Sequence, residues 1–213
     1  MIRFDRSTQS LAIGVAILAG FVDAIGFVES GGFFVSFMTG NSTRFAVGAA
    51  EVRQAALIAG GLIALFVTGV VVGSLLAARV GSRRTPAVLS LVAILMVVAA
   101  PIRLGGGEWP AIACLALAMG LVNAALEGKD GAVVGVTYMT GTLVQMGQKI
   151  ANRLRGQGDG RWFHHFGLWA ALVGGAILGA RTVLWSVPLA YGLAALLAGG
   201  LVIHALRAVR RAA

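Results

Sequence analysis

The feature that most constrains this chain is a series of long apolar segments with almost no acidic or basic residues. A helix needs about 20 apolar residues to cross roughly 30 Å of hydrocarbon. Six segments reach or approach that length, and only Asp23 interrupts the first of them: Ser7–Val28, Gln54–Ala78, Thr85–Ile102, Trp109–Leu126, Trp162–Ala180 and Thr182–Leu206. Charged residues make up 12% of the 213 residues, against about 25% in soluble domains. We therefore predict an all-α membrane protein in contact with the lipid bilayer.

The basic residues lie in short loops between these apolar segments, although the net charge is +9. Lys and Arg in loops orient the helices of a membrane protein, so we predict no nucleic-acid partner. The single cysteine, Cys114, cannot form an internal disulfide, which excludes a secreted disulfide scaffold.

The chain also resembles itself. Three landmarks recur in the same order, the first two at offsets of 100 and 101 residues: Gly20–Ala24 with Gly120–Ala124, Met38–Asn41 with Met139–Thr142, and more loosely Gly73–Arg79 with Gly174–Arg181. We predict two pseudo-symmetric repeats of one transmembrane domain, residues 1–106 and 107–213.

Two segments that carry Met-Thr-Gly, Gly32–Ala50 and Gly131–Ala151, decide the number of crossings. If both only dip into the membrane and return, six spans and inverted repeats result. If both cross, eight spans and parallel repeats result. With the N-terminus inside, six spans place 13 Lys/Arg inside and 4 outside, and eight spans place 12 and 5. This margin does not decide, but the compact Arg79, Arg83, Arg84 cluster favours six, with both termini cytoplasmic.

Each Met-Thr-Gly segment has the pattern of a discontinuous element. Phe33–Met38 favours extended chain, Thr39–Thr43 is rich in turn residues, and Arg44–Ala50 can form about two helical turns. Val133–Met139, Thr140–Thr142 and Leu143–Ala151 repeat this order. Such elements at matching positions of two halves point to a transporter's substrate site. Alternatively, Thr-Gly only allows close helix packing, as expected at Gly69, Gly73, Gly174, Gly175, Gly199 and Gly200.

Asp23 is an acid well inside the first apolar segment, where an ionisable group requires a partner. Arg44 is the predicted partner. The pair would either pin the first helix to the discontinuous segment or couple a proton or cation to a substrate. The counterparts in the second half, Asn123 and Gln145, are neutral, so any charge-dependent chemistry belongs to the first half.

These features predict a small-solute transporter or channel for a polar or anionic substrate, with possible proton coupling through Asp23. The predicted substrate-binding residues are Asp23, Ser36, Thr39, Gly40, Asn41, Arg44, Asn123, Thr137, Thr140, Gly141 and Thr142. The alternative is a non-transporting scaffold or regulator in which the polar centre is structural. The glycine-rich faces would permit a homodimer. Nucleophile, zinc and phosphate-loop motifs do not occur, so we expect no enzymatic activity, no cofactor and no metal site.

The sequence resembles the YoaK family of bacterial inner-membrane proteins. Gly20–Phe27, the Gly31-Gly32-Phe33 turn, Phe34–Asn41 and Tyr138–Leu143 carry the resemblance, which extends over essentially the whole chain. It implies a multi-pass protein of the bacterial inner membrane and no established activity.

Overall fold

The computed structural model describes residues 6–51, 53–126, 139–157 and 162–212. Within these ranges the chain forms eight α-helices and no strand, which confirms the predicted all-α class. The helices are α1 (Arg6–Glu29), α2 (Met38–Ala50), α3 (Arg53–Val80), α4 (Arg84–Leu104), α5 (Glu108–Val122), α6 (Met139–Leu154), α7 (Phe163–Trp185) and α8 (Val187–Ala212).

Four helical stretches in the described ranges are long and apolar enough to cross a membrane: Thr8–Glu29, Arg53–Leu104, Phe163–Trp185 and Val187–Arg211. The second stretch contains both α3 and α4, which a 3-10 turn at Gly81–Arg83 separates. Gly81 has φ +57°, a left-handed conformation that ends α3. The 15 residues of α5 reach only about 22 Å, and α5 lies at the centre of the bundle with most of its residues buried.

Large aliphatic side chains are exposed on the outer faces of the surrounding helices. Leu57 and Leu75 on α3, Ile94 on α4, Leu184 on α7 and Leu196 on α8 are each more than half exposed. Lipid solvates such faces, whereas water would not.

Contacts between the first and last helices show their directions. Ser10 bonds His204, and Gly14 packs on Leu201, so α1 and α8 run antiparallel. Along the α1–α7 contact, Ile17 meets Gly175 and Phe21 meets Gly179, so these two helices run parallel. We call the end with Ser10 and His204 the N-terminal end of the bundle. The other end is the opposite end.

The remaining helices follow from three further contacts. Arg103 binds Glu29, so α4 ends at the opposite end, where α1 ends. The Thr85 hydroxyl donates to the Ala125 carbonyl, so α5 returns to the N-terminal end. Gly69 meets Leu117 and Gly73 meets Leu121, so α3 runs parallel to α5. Consequently α2 connects helix ends at the opposite end, and α6 connects helix ends at the N-terminal end.

Glycines form two helix crossings of the same design. At the α1–α7 crossing, Gly20 packs on the carbonyl of Leu172, and Gly175 packs on that of Ile17. At the α5–α3 crossing, Gly120 packs on the carbonyl of Phe66, and Gly69 packs on that of Leu117. A Cβ at any of the four glycines would collide with backbone. Each crossing joins one helix from each predicted repeat.

The crossings correct the sequence alignment of α3 with α7. Gly69 and Gly73 occupy the positions that Gly175 and Gly179 occupy in the other crossing, an offset of 106 residues. The alignment of Gly73 with Gly174 was therefore out of register. The predicted packing of Gly69, Gly73 and Gly175 is confirmed. A Cβ at Gly174, Gly199 or Gly200 would meet open space, so the prediction was wrong for these three.

Candidate functional site

The chain reverses immediately after α1. Gly31 has φ +68° and Gly32 has φ +112°. The Gly32 N–H donates to the Phe27 carbonyl at 2.8 Å, and the Gly31 N–H donates to the Val28 carbonyl at 3.4 Å, which is the Schellman arrangement. The buried Ser30 hydroxyl bonds both the N–H and the carbonyl of Phe33 at 2.9 Å. These bonds direct the chain back along α1.

The returning segment, residues 33–37, is non-helical and bends at Val35 and Ser36, where its backbone contacts Asp23. The N–H groups of Val35 and Ser36 each donate to Oδ1 of Asp23 at 2.8 Å. Val35 is fully buried against Gly26 of α1. Asp23 lies six residues before Glu29, or about 9 Å along the helix. The carboxylate thus supplies the hydrogen-bond acceptors that this non-helical backbone lacks.

Asn41 holds the same segment from the other side. Its Oδ1 accepts from the Phe34 N–H at 3.0 Å, and its Nδ2 donates to the Phe34 carbonyl at 2.6 Å. The side chain is 0% exposed. Both polar ends of the amide bind protein backbone, so Asn41 positions the segment.

The start of α2 differs from the prediction. Thr39, Gly40 and Asn41 were expected to form a turn, but α2 begins at Met38 and includes them. The Ser42 hydroxyl donates to the Met38 carbonyl and the Thr43 hydroxyl to the Thr39 carbonyl, at 2.8 and 3.2 Å. These helical bonds give the hydroxyl groups partners, so the run does not need to form a turn.

α2 then leads back to the opposite end of the bundle. Phe45 contacts Gly60 and Gly48 contacts Ala56, so α2 and α3 run antiparallel. The Arg44 guanidinium lies beside Gly32 and 5.0 Å from the centre of the Phe33 ring. Residues 30–37 and α2 therefore enter and leave the bundle at the same end.

The predicted Asp23–Arg44 ion pair is wrong. Asp23 accepts backbone N–H groups, and the Arg44 guanidinium lies over Phe33, near the end of α1. The two groups are apart because main-chain N–H groups occupy Asp23, and because the direction of α2 places Arg44 beside the turn at Gly32. In the described ranges, Arg44 has no carboxylate partner.

The other predicted residues of the first half lie in the segment of residues 30–50, which we call the hairpin. Ser36 is buried, Thr39 is exposed, and Gly40 is partly buried against the rings of Phe34 and Phe37. The Phe34 and Phe37 rings pack edge to face with centroids 5.1 Å apart. These two aromatic rings therefore border the first turn of α2, of which only Thr39 is exposed.

The second half is arranged differently. Asn123 caps α5 and donates to the Met119 carbonyl at 2.9 Å. Thr140 and Gly141 are exposed and Thr142 is buried in the first turn of α6. α6 packs on α7 and α2 on α3, and the described residues of α2 and α6 form no helix interface with each other. Thr137 and the predicted extended segment from Val133 lie outside the described residues.

Sequence reasoning missed a second polar group at the opposite end. Arg103 forms a two-pronged ion pair with Glu29, whose side chain is 8% exposed. Tyr191 of α8 is 1% exposed, and its hydroxyl lacks a hydrogen-bond partner among the described residues. Each lies near a helix end, where charged residues and tyrosines are common in membrane proteins and do not by themselves indicate a contact. Only the contact between α1 and α4 reveals the pair.

Comparison with known proteins identifies the family. Residues 11–204 match the family described as Protein of unknown function (DUF1275). The chain belongs to the DUF1275 family. The match includes every described residue of the hairpin and of both glycine crossings. It supports the predicted resemblance to an uncharacterised membrane family.

A curated relative of this DUF1275 protein is a UPF0700 transmembrane protein of Rhizobium meliloti (strain 1021). The two are 36% identical over 190 residues, which cover 86% of this chain and 80% of the relative. No solved structure matches the chain. The transmembrane relative and the apolar helices together make this DUF1275 chain a multi-pass membrane protein.

Proposed function

We propose that the protein is a transporter or channel for a small polar or anionic solute, and that the hairpin of residues 30–50 is part of its pathway. The observation that carries the proposal is the non-helical backbone held by Asp23 within the bundle. Non-helical backbone at membrane depth persists only where protein or a water-filled cavity satisfies it. Transporters place such elements beside the substrate.

The helix directions support six crossings and inverted repeats. α1, α3 and α4 run outward, inward and outward from the N-terminal end, and α5, α7 and α8 run in the opposite senses. The α2 hairpin enters from the opposite end, while α6 follows α5 at the N-terminal end. The equivalent glycine crossings relate the two halves. Inverted repeats of this kind allow alternating access around a central site.

The positions of the arginines support a pathway entrance at the opposite end of the bundle, on the outer side of the membrane, that attracts anions. Arg44 lies there over Phe33, with no carboxylate partner among the described residues. Arg79, Arg83 and Arg84 lie at the N-terminal end, in the turn between α3 and α4. By the positive-inside rule the N-terminal end is cytoplasmic. The resemblance to the YoaK family supports the bacterial inner membrane as the location. We propose that the protein catalyses no chemical reaction.

A second candidate function is a membrane scaffold or regulator without transport. The observation that favours it is that protein groups bind Asp23 Oδ1 and both ends of the Asn41 amide, whose Nδ2 also donates to the Met38 sulfur. Groups used in this way stabilise the hairpin whether or not a solute passes.

Asp23→Asn separates the two functions because both described bonds end on Oδ1, which asparagine retains. The variant therefore keeps these two bonds and loses the negative charge, and it weakens the further interactions of the carboxylate with the Ser36 side chain and the Phe37 backbone. Purified protein is reconstituted into liposomes, and swelling is followed by light scattering in glycerol and in potassium salts of chloride, nitrate, formate and phosphate. Valinomycin carries the counter-ion. Thermal unfolding in detergent is measured on the same samples.

We expect wild-type protein to accelerate swelling with at least one solute, and Asp23→Asn and Arg44→Gln to reduce it at least tenfold at unchanged melting temperature. A full rate in both variants would remove these residues from the pathway. Wild-type liposomes that behave like protein-free ones with every solute would favour the scaffold.

A further inference from the structure

An apolar groove runs between α1 and α8 on the outside of the bundle. It has a volume of about 370 Å³ and is lined by Gly14, Ile17, Leu193, Leu196, Leu197, Gly200 and Leu201. This volume is within the range of small-molecule sites, about 300–1,000 Å³. A Cβ at Gly200 would meet open space, so its absence keeps the groove deep.

The groove continues into a polar and basic stripe toward the N-terminal end. His204 bonds Ser10 of α1 at 2.8 Å, directly beyond Gly200. Arg207 and Arg211 follow at the next two turns of α8, and both are exposed. Gly200, His204, Arg207 and Arg211 are spaced four, three and four residues apart, so they share one helix face.

We propose that this groove and stripe form a binding site for one anionic phospholipid. An acyl chain lies in the groove between Gly14 and Gly200, and the phosphate binds Arg207 and Arg211. Their separation fits a lipid, because Arg207 lies about 10 Å beyond Gly200 along α8.

Charge complementarity selects this occupant. α8 contains no acidic residue, and its final turns carry Arg207, Arg210 and Arg211. Basic residues at the membrane surface attract anionic headgroups. A second copy of the chain would bring the same arginines together at a two-fold interface, which disfavours a dimer here.

The test is native mass spectrometry of the full chain in detergent with added phosphatidylglycerol or phosphatidylcholine of identical acyl chains. Gly200→Leu fills the groove, and the double variant Arg207→Gln/Arg211→Gln removes the phosphate contacts. Gly199→Leu is the matched control, since it makes the same change one residue away, outside the groove and also into open space.

We expect wild-type protein and Gly199→Leu to retain phosphatidylglycerol on the order of tenfold better than phosphatidylcholine. Gly200→Leu should lose both lipids, and the arginine variant should lose only the preference. Equal retention of the two lipids by wild-type protein would overturn the proposal, as would unchanged binding in the arginine variant. A lipid-free dimer that Gly200→Leu dissociates would assign the groove to a second copy and also overturn it.

Discussion

The helices α2 and α6 both begin with Met-Thr-Gly but lie in different surroundings. Gly48 of α2 packs on the backbone of α3 at Ala56, and Asn41 is completely buried. On α6, a Cβ at Gly141 or Gly147 would meet open space, and most of the helix is exposed. Among the described residues, the glycines of α2 therefore pack against neighbouring atoms, whereas those of α6 do not.

The two glycine crossings, by contrast, are alike. Gly20 and Gly120 each pack on a carbonyl of the helix they cross, and so do Gly175 and Gly69. The described parts of the two halves thus share a scaffold. Asp23 and the hairpin that it holds belong to the first half, and the corresponding segment of the second half lies outside the described residues.

The largest expected effect comes from the shared crossings. Gly20→Ala and Gly120→Ala would each place a methyl group against a backbone carbonyl that cannot move away. We expect each to lower the stability by about 3 kcal/mol, measured as loss of monodisperse protein after heating in detergent. Gly174→Ala, where space is open, is the control. If the losses of stability of the two variants differed by more than about half, the two crossings would not be equivalent.

The next effect should separate the halves. Asp23→Leu leaves the N–H groups of Val35 and Ser36 without their acceptor, at a cost of about 1 kcal/mol each. Asn123→Leu removes, among the described bonds, those to the carbonyls of Met119 and Gly120, and Gly120 keeps the main-chain N–H of residue 123 as a donor, so we expect a smaller loss. Melting temperatures of both variants and of Asp23→Asn give the comparison. Similar losses for the two leucine variants would mean that both halves depend equally on these polar residues.

Sequence patterns predicted the helices well because charge-free stretches report directly on burial in lipid. α1, α3, α4, α7 and α8 all fall on predicted segments, although α7 continues through Arg181 to Trp185. An arginine near a helix end can extend to the interface and need not end the helix. The rotation of each helix about its own axis was harder to predict from the sequence, because Gly174 and Gly175 are adjacent and only Gly175 faces α1.

The hydrogen bonds of the candidate site could not be predicted from the sequence. Asp23 and Asn41 both bind the segment of residues 34–36, but the side-chain pattern gives no sign that their partners are main-chain groups of Val35, Ser36 and Phe34. Arg44 was chosen as the nearest opposite charge in sequence. The Glu29–Arg103 pair was missed because its members lie 74 residues apart.

The smallest expected effect tests α2 against α6 directly. A Cβ at Gly48 would lie 2.6 Å from the Ala56 nitrogen, so Gly48→Ala must push α2 from α3 and should cost about 1–3 kcal/mol. Gly147→Ala meets nothing and should stabilise α6 by about 0.5–1 kcal/mol through helix propensity. Hydrogen exchange of peptides from α2 and α6 measures each change locally. Faster exchange in α6 after Gly147→Ala would show that α6 is packed as tightly as α2, and the contrast between the two helices would then fail.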